Sequence, residues 1–331
     1  MTSFLQKLNN ALDSAISRDE RIFLLGEDIL DPYGGAFKVT RGLSSRYPGR
    51  VISTPISESA MIGIASGMAM RGLRPIVEIM FGDFMTLTAD QVINHAAKFR
   101  WVYQDKVSVP IIIRTPMGGR RGYGPTHSQS IEKIFMGIPG LRVVAPNTLS
   151  DPSLMLDAAI EDDDPVLFIE HKLLYPCQMQ VIGKGDFVDA EVEQIGSPYP
   201  SYKISYSSNA KICIATYGYN FELVRQAALE LLFEKEIFVE IFLFSQLSPF
   251  NVEPIMESLK RTRRLLTVEE GNTSLGWGAE IAALVTEKME NIKIKRLGSM
   301  DLPIANAPSL EGTIIPSKSL IKETIIDFVN S

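Results

Sequence analysis

The sequence predicts an α/β protein made of two doubly wound domains. A length of 331 residues exceeds what one hydrophobic core usually serves. Segments with helical periodicity alternate with short, β-rich segments in both halves of the chain, which is typical of parallel sheets covered by helices. The composition, 45% hydrophobic and 22% charged, is that of an ordinary globular protein.

The first domain is predicted to span residues 1–180. Its strands are expected at 22–25, 50–53, 75–79, 109–113 and 166–170, and its helices at 3–16 and from near 57, 86 and 150. The run 109–113 is apolar throughout, as buried parallel strands are. Ser150-Asp151-Pro152 is a helix start, with a capping side chain and a proline, which lacks the N–H that the first turn leaves unpaired.

An interdomain connection is predicted at 181–209, where Gly, Pro, Ser and Tyr accumulate and the periodicity fades. The second domain is then expected over 210–331. Its strands are predicted at 211–216, 237–243, 264–268 and 292–296, and its helices at 221–233, 253–260 and 278–288. Neither half carries a glycine-rich nucleotide loop after a strand.

Charge and patterning exclude several classes of function. A net charge of -6 disfavours a nucleic-acid partner, because such binding depends on clustered Lys and Arg. The most apolar run, residues 60–70, is far shorter than the roughly 20 residues of a membrane span. The acidic N-terminal segment fits no signal or transit peptide, and Cys177 and Cys213 are expected to be free thiols. We therefore expect a cytoplasmic chain.

Three residues are candidates for chemistry, each with a structural alternative. Glu58 opens a helix otherwise made of Ala, Gly, Ile and Met, where a carboxylate can serve chemistry or simply complement the helix dipole. Phe84 follows a predicted strand and can be a ligand contact or a core residue. His127 lies in a glycine-rich polar stretch, where a histidine can be catalytic, solvated or capping.

Read together, several segments resemble the beta subunits of thiamine-diphosphate-dependent 2-oxo acid dehydrogenases, a transketolase-like family with pyruvate, branched-chain and acetoin members. The similarity lies in residues 53–67, 78–84, 90–98, 126–130, 139–146, 268–271 and 301–304. The resemblance implies a transketolase-type pyrimidine-binding domain followed by a transketolase C-terminal domain.

The resemblance also implies roles for four side chains. At the position of Glu58 the family has a glutamate that shares a proton with the cofactor's aminopyrimidine and so prepares the thiazolium carbon for deprotonation. A dry, apolar surround strengthens such proton sharing. Phe84 matches the aromatic residue that stacks on the aminopyrimidine, and Met80 is implied as a second cofactor contact. His127 matches a histidine credited with proton transfer during decarboxylation or acyl handover.

The resemblance further implies cofactors and partners. No Mg²⁺- and diphosphate-binding segment is present, so an alpha subunit in an alpha2-beta2 heterotetramer is expected to supply it. A lipoyl-bearing acyltransferase and a small 2-oxo acid are the other expected partners. Some family members hold potassium at an acidic turn, and a solvated loop is the alternative there. The matching positions are Ile111, Ala159, Ile160, Asp162 and Asp164.

One departure and two alternatives accompany the resemblance. The family usually has Asp-Leu-Arg-Thr where this chain has Leu243-Phe244-Ser245-Gln246, which puts the family's C-terminal contacts to partner subunits in doubt. A split transketolase or deoxyxylulose-phosphate-synthase-like enzyme has the same expected fold with sugar-phosphate chemistry. A non-catalytic interaction subunit is the third hypothesis.

Overall fold

The computed structural model describes residues 2–331, which form two compact units. The first unit comprises the chain up to Gly118 together with Ile134–Met179, and the second comprises Gly119–Lys133 and Gln180–Ser331. We call Gly119–Lys133 the His127 segment. It is part of the second unit, although in sequence it lies between two strands of the first.

The first unit is a parallel sheet with six helices. The helices are α1 (Phe4–Arg18), α2 (Leu43–Arg46), α3 (Glu58–Met70), α4 (Met85–Asp90), α5 (Ala97–Val102) and α6 (Pro152–Glu161). The strands are β1 (Ile22–Gly26), β2 (Val51–Ser53), β3 (Arg74–Glu78), β4 (Ile112–Met117), β5 (Arg142–Val144) and β6 (Val166–His171). Side by side they run in the order β5-β6-β4-β3-β1-β2, all parallel.

Local sequence explains two of these helices well. α1 is capped by Ser3, whose hydroxyl accepts the Gln6 N–H, and it buries Leu8, Leu12 and Ile16 at spacings of four residues. α6 begins as predicted, with Asp151 accepting the Ser153 N–H and a proline in the first turn. The helix predicted from near residue 86 is divided, because a π-helical turn, Gln91–Ala96, separates α4 from α5.

The predicted strand at 109–113 was wrong at its start. β4 begins at Ile112, and the Ile111 N–H bonds to the Val109 carbonyl instead of a neighbouring strand. Pro110 has no N–H to contribute to a ladder, which explains the late start.

The second unit contains a mixed six-stranded sheet. Its helices are α7 (Asn220–Lys235), α8 (Glu253–Thr262), α9 (Trp277–Lys288), α10 (Pro308–Ile314) and α11 (Lys318–Asn330). The unit's strands are β7 (Glu191–Ile195), β8 (Ser201–Ser205), β9 (Ile212–Tyr217), β10 (Val239–Phe244), β11 (Gln246–Ser248), β12 (Arg264–Asn272) and β13 (Lys293–Ser299), and all of them except β11 belong to this sheet. The sheet order is β13-β12-β9-β10-β8-β7. Strand β8 pairs in antiparallel fashion with both of its neighbours, β10 and β7.

The α/β fold class predicted from the alternation of segments is confirmed in both units. The β7-β8 hairpin was not predicted, and it lies within residues 181–209, where a connection was expected. No helix in residues 2–331 is long and apolar enough to cross a membrane. Cys177 and Cys213 form no disulfide in residues 2–331, as expected.

Candidate active site

Three neighbouring parallel strands of the first unit bring the candidate residues to one edge of the sheet. Glu27 directly follows β1, Glu58 opens the helix after β2, and Phe84 lies in the turn after β3. Because β3, β1 and β2 are adjacent and parallel, their carboxyl ends meet at the same edge. Open α/β sheets bind ligands at this edge.

Glu58 is a buried carboxylate at the start of a buried helix. Its side chain is only 5% exposed, and the buried face of α3 continues with Met61, Ile62 and Ala65. Ser57 occupies the N-cap position, but its hydroxyl makes no capping hydrogen bond. The first turn of α3 therefore buries Glu58 on the same helix face as these apolar side chains.

Glu27 is a second buried carboxylate at the same site, and the sequence reasoning missed it. It is 5% exposed and accepts a hydrogen bond from the Ser57 backbone, while its Oε1 has no hydrogen-bond partner in residues 2–331. Burial, and then repulsion from Glu58, raise the pKa of Glu27. A polar residue directly after a buried parallel strand was the signal that could have found it.

Phe84 is half-buried and ends a row of aromatic rings. Its ring centroid lies 5.8 Å from that of Phe81, which in turn lies 5.6 Å from that of Phe37. Met80 is also half-buried and follows β3. Neither side chain is sealed in the core, so each can offer surface to a ligand.

His127 is half-buried in its segment of the second unit. The Thr126 hydroxyl lies 3.0 Å from His127 Nδ1, a contact that restrains rotation of the imidazole. Next to it, Ser128 is 1% exposed, and its hydroxyl has no hydrogen-bond partner in the described chain. A buried hydroxyl of this kind beside a histidine is a further polar group that sequence reasoning did not single out.

The residues proposed for potassium lie around the end of α6. Ile111 precedes β4 and its carbonyl accepts the Val166 N–H, while Ala159 and Ile160 are buried in the last turn of α6. Asp162 caps the helix, and its carboxylate accepts the Asp164 N–H at 3.1 Å.

Arginines neutralise this acidic turn. Arg142 Nε donates to the Asp162 carboxylate at 2.6 Å, Arg74 donates to the Asp162 carbonyl at 2.8 Å, and Arg100 donates to Asp164 at 3.1 Å. No cluster of three or more His, Cys, Asp or Glu in residues 2–331 is arranged to hold a metal ion. A potassium ion here would share its oxygens with guanidinium groups.

Ser245, where the resemblance implies an arginine, makes a contact inside the second unit. Phe244 ends β10 with its ring centroid 5.4 Å from that of Trp277, and the Ser245 hydroxyl donates to the Pro200 carbonyl at 2.6 Å. These residues serve contacts within the second unit.

The second unit also holds a buried carboxylate with a shifted pKa. Glu269 on β12 is 1% exposed and accepts the N–H groups of Trp277 at 2.8 Å and Gly278 at 2.9 Å. Burial raises the pKa of Glu269 to about 7. The carboxyl therefore holds its proton in the folded chain at a pH where it would lose it in the unfolded chain.

This shift makes stability depend on pH. As the pH rises from the ordinary value of 4.5 to about 7, the unfolded chain has released the proton that the folded chain keeps. We therefore expect Glu269 alone to lower the free energy of unfolding by about 3 kcal/mol over this window. Glu269→Gln should remove this contribution to the pH dependence of the free energy of unfolding. Urea unfolding at several pH values measures it, with the exposed Glu253→Gln as control, and equal pH slopes in all three proteins would contradict the prediction.

Two known domain families match the two halves of this chain. The family described as "Transketolase, pyrimidine binding domain" matches residues 2–178, and "Transketolase, C-terminal domain" matches residues 203–321. These two domains define the class of protein to which the fold and site correspond.

Relatives identify the family within that class. The chain is 36% identical to "Pyruvate dehydrogenase E1 component subunit beta-2, mitochondrial" of Oryza sativa, over 94% of this chain and 82% of the relative. It is 35% identical to "Acetoin:2,6-dichlorophenolindophenol oxidoreductase subunit beta" of Cupriavidus necator, over 95% and 93% of the two chains. It is also 35% identical to the pyruvate dehydrogenase E1 beta subunit of Rickettsia conorii, over 97% and 96%. The chain belongs to this family of dehydrogenase E1 beta subunits, as the resemblance predicted.

Solved structures show the same fold. A split-gene transketolase described as an inactive beta4 tetramer matches with a TM-score of 0.75 and 16% identity, over 100% of this chain and 99% of that chain. Transketolase from Leishmania mexicana matches with a TM-score of 0.70 and 16% identity, over 98% of this chain and 45% of that chain.

Proposed function

We propose that this chain is the beta subunit of the decarboxylating component of a 2-oxo acid dehydrogenase, using thiamine diphosphate and passing an acyl group to a lipoyl carrier. The observation that supports this most is the buried Glu58 at the carboxyl edge of a parallel sheet, beside Glu27, in a chain of the E1 beta family. This family is associated with thiamine diphosphate.

The residues present fit this cofactor. When bound, thiamine diphosphate would supply the nucleophilic carbon and the electron sink that decarboxylation of a 2-oxo acid requires. Glu58 would share a proton with the aminopyrimidine, in a surround where the charged carboxylate is poorly solvated. Phe84 would stack on the ring and Met80 would contact it. The Glu27 oxygen that has no partner provides one further acceptor at the same edge.

His127 would transfer protons during decarboxylation or acyl handover, with its imidazole oriented by Thr126. In the overall reaction the bond between C1 and C2 of the 2-oxo acid breaks and CO₂ leaves. The two electrons reduce the lipoyl disulfide, of which one sulfur receives the acyl group and the other a proton.

Partner subunits complete the proposal. The E1 beta relatives imply an alpha subunit, and we propose an alpha2-beta2 heterotetramer whose alpha chain holds Mg²⁺ and the diphosphate. A lipoyl-bearing acyltransferase would take the acyl group. Potassium binding at the turn of Asp162 and Asp164 and a cytoplasmic location remain predictions.

The test is reconstitution of the full chain with its alpha subunit, thiamine diphosphate and Mg²⁺, followed by reduction of 2,6-dichlorophenolindophenol. Pyruvate, branched-chain 2-oxo acids, 2-oxoglutarate and acetoin would be compared as substrates. We expect reduction only when both chains and the cofactor are present, because this chain contains no Mg²⁺- and diphosphate-binding segment.

Two results would contradict the proposal. The first is a well-formed complex that does not reduce the dye with any of these substrates but does transfer a two-carbon unit to a sugar phosphate. That result would favour the split-transketolase alternative. A complex that keeps full activity when Glu58, Phe84 and His127 are all changed to Ala would favour a non-catalytic role for this chain.

A further inference from the structure

Glu311 holds the start of the His127 segment by its backbone. This side chain on α10 is 3% exposed. Its Oε1 accepts the Arg120 N–H at 2.7 Å, and its Oε2 accepts the Gly122 N–H at 3.0 Å. Both donor residues have left-handed backbone, with φ of +69° and +68°. The two N–H groups, which flank Arg121, thus converge on one carboxylate, and each makes a charge-assisted hydrogen bond with it.

Glu270 contacts the segment on both sides of His127. This residue of β12 is 5% exposed, and its Oε1 accepts the Gly119 N–H at 2.7 Å. Arg120 Nε donates to its Oε2 at 3.2 Å, and the Ser130 hydroxyl lies 3.4 Å from Oε1. One carboxylate therefore joins the stretch before His127 to the stretch after it.

The start of the segment has little room to shift. A Cβ on Gly119 would lie 2.5 Å from Ile315 Cδ1 and 2.9 Å from Glu311 Oε1, so a larger residue there would displace the Ile315 and Glu311 side chains. The Arg120 guanidinium also donates to the Pro316 carbonyl at 2.6 Å.

The end of the segment is held as well. Glu132 is 3% exposed and accepts a hydrogen bond from the Tyr217 hydroxyl, while Lys133 donates to the Ser274 carbonyl at 2.7 Å. Residues far along the chain thus fix both ends of a stretch whose centre carries His127.

We propose that Glu270 and Glu311 are positioning residues that hold the His127 segment in one conformation, so that proton transfer by His127 depends on two carboxylates of the C-terminal half. This inference rests on the proposed function of His127. Carboxylates suit this task, because each of their two oxygens can accept an N–H bond. The side-chain amide of glutamine has only one acceptor oxygen, so Glu→Gln removes one of the two acceptors.

The first test uses the reconstituted enzyme and the variants Glu270→Gln and Glu311→Gln. We expect each to lower kcat roughly 10- to 100-fold with KM changed less than about twofold, because a small misplacement of a proton-transfer group slows turnover. Glu240→Gln is the matched control, since Glu240 is 2% exposed in the same unit but pairs with Arg261. It should keep its activity.

A double-mutant cycle separates positioning from general damage. In a His127→Ala background, Glu270→Gln and Glu311→Gln should each change kcat by less than about twofold, because residues that act through one group are not additive. If the losses multiply instead, the inference is overturned while the role of His127 stands. If His127→Ala alone has normal activity, the proposed role of His127 fails, and the inference fails with it.

Proteolysis of the full chain without cofactor gives a readout independent of activity and of assembly. Trypsin can cut after Arg120, and after Arg121, which is exposed. We expect cleavage within the segment to be at least roughly tenfold faster in Glu270→Gln and Glu311→Gln than in the wild type and Glu240→Gln, because local opening becomes easier. Equal cleavage rates in all four proteins would overturn the inference.

Discussion

Glu58→Gln is expected to lower kcat of the reconstituted enzyme by at least about 100-fold while the fold and the assembly with the alpha subunit persist. The amide has nearly the size of the carboxylate, so the packing around α3 is kept, but it cannot share a proton with the cofactor ring. Loss of one general acid–base group typically costs 10²- to 10⁴-fold in rate. The site is dry, since Glu58 is only 5% exposed, and water is poorly placed to replace the group.

The same substitution separates two explanations for Glu58. If the carboxylate only complemented the helix dipole, its loss would cost a few tenths of a kcal/mol in stability and leave turnover unchanged. Glu222→Gln is a control for turnover only, because Glu222 is also a buried glutamate in the first turn of a helix, α7, but there it pairs with Arg225. Steady-state dye reduction would be measured on both variants, and urea unfolding on Glu58→Gln. A Glu58→Gln enzyme that turns over at the wild-type rate would exclude the proposed role.

The neighbouring carboxyl gives a second readout. Repulsion from Glu58 is one cause of the raised pKa of Glu27, so Glu58→Gln should move the pKa of Glu27 downward. Carboxyl titration followed by infrared difference spectroscopy of the cofactor-free chain would detect the change. An unchanged titration would mean that the two groups do not interact.

Much of the fold was readable from local pattern. Apolar runs of four to six residues alternate with segments of helical periodicity. Such runs are typical of buried parallel strands, so this alternation was enough to predict the α/β fold. The strand-to-helix junction before Glu58 was readable for the same reason, and a motif drew attention to the residue. Boundaries were less certain, as the late start of β4 at Ile112 shows.

What could not be read was set by contacts between distant parts of the chain. Gly119 and Glu270 are 151 positions apart, and no local pattern pairs them. The β7-β8 hairpin is stabilised by the pairing of β8 with β10, which is distant in sequence. The composition of the hairpin itself is that of a connection, so local pattern did not reveal it. Glu27 lies at the candidate site because β1 runs between β2 and β3, and this strand order was not predicted from the sequence.

Arg114→Met is expected to destabilise the chain by about 3–5 kcal/mol, the cost of removing one partner from a buried ion pair. Arg114 on β4 is 1% exposed, and its guanidinium makes two bonds to Glu170, at 2.7 and 2.8 Å, and one to Glu78, at 3.0 Å. Glu170 is completely buried and also accepts the Tyr175 hydroxyl at 2.6 Å. Methionine fills a similar volume but leaves two carboxylates without their cation.

Urea unfolding of Arg114→Met, with Arg46→Met as control, measures this cost. Arg46 pairs with Asp13 but is half-exposed, so its loss should cost less than about 1 kcal/mol. Adding Glu170→Gln to Arg114→Met should recover part of the loss, because one of the two uncompensated charges is then removed.

The pH dependence tests the cause of the destabilisation. Burial raises the pKa of Glu78 and Arg114 opposes that effect, so Arg114→Met should raise the pKa of Glu78 further. A carboxyl with a raised pKa in the folded state binds protons more tightly there than in the unfolded chain, and lowering the pH then favours the fold. The stability deficit of Arg114→Met should therefore shrink between pH 7 and pH 5. A deficit that is the same at both pH values would show that lost packing, and not an uncompensated buried charge, is what destabilises the variant.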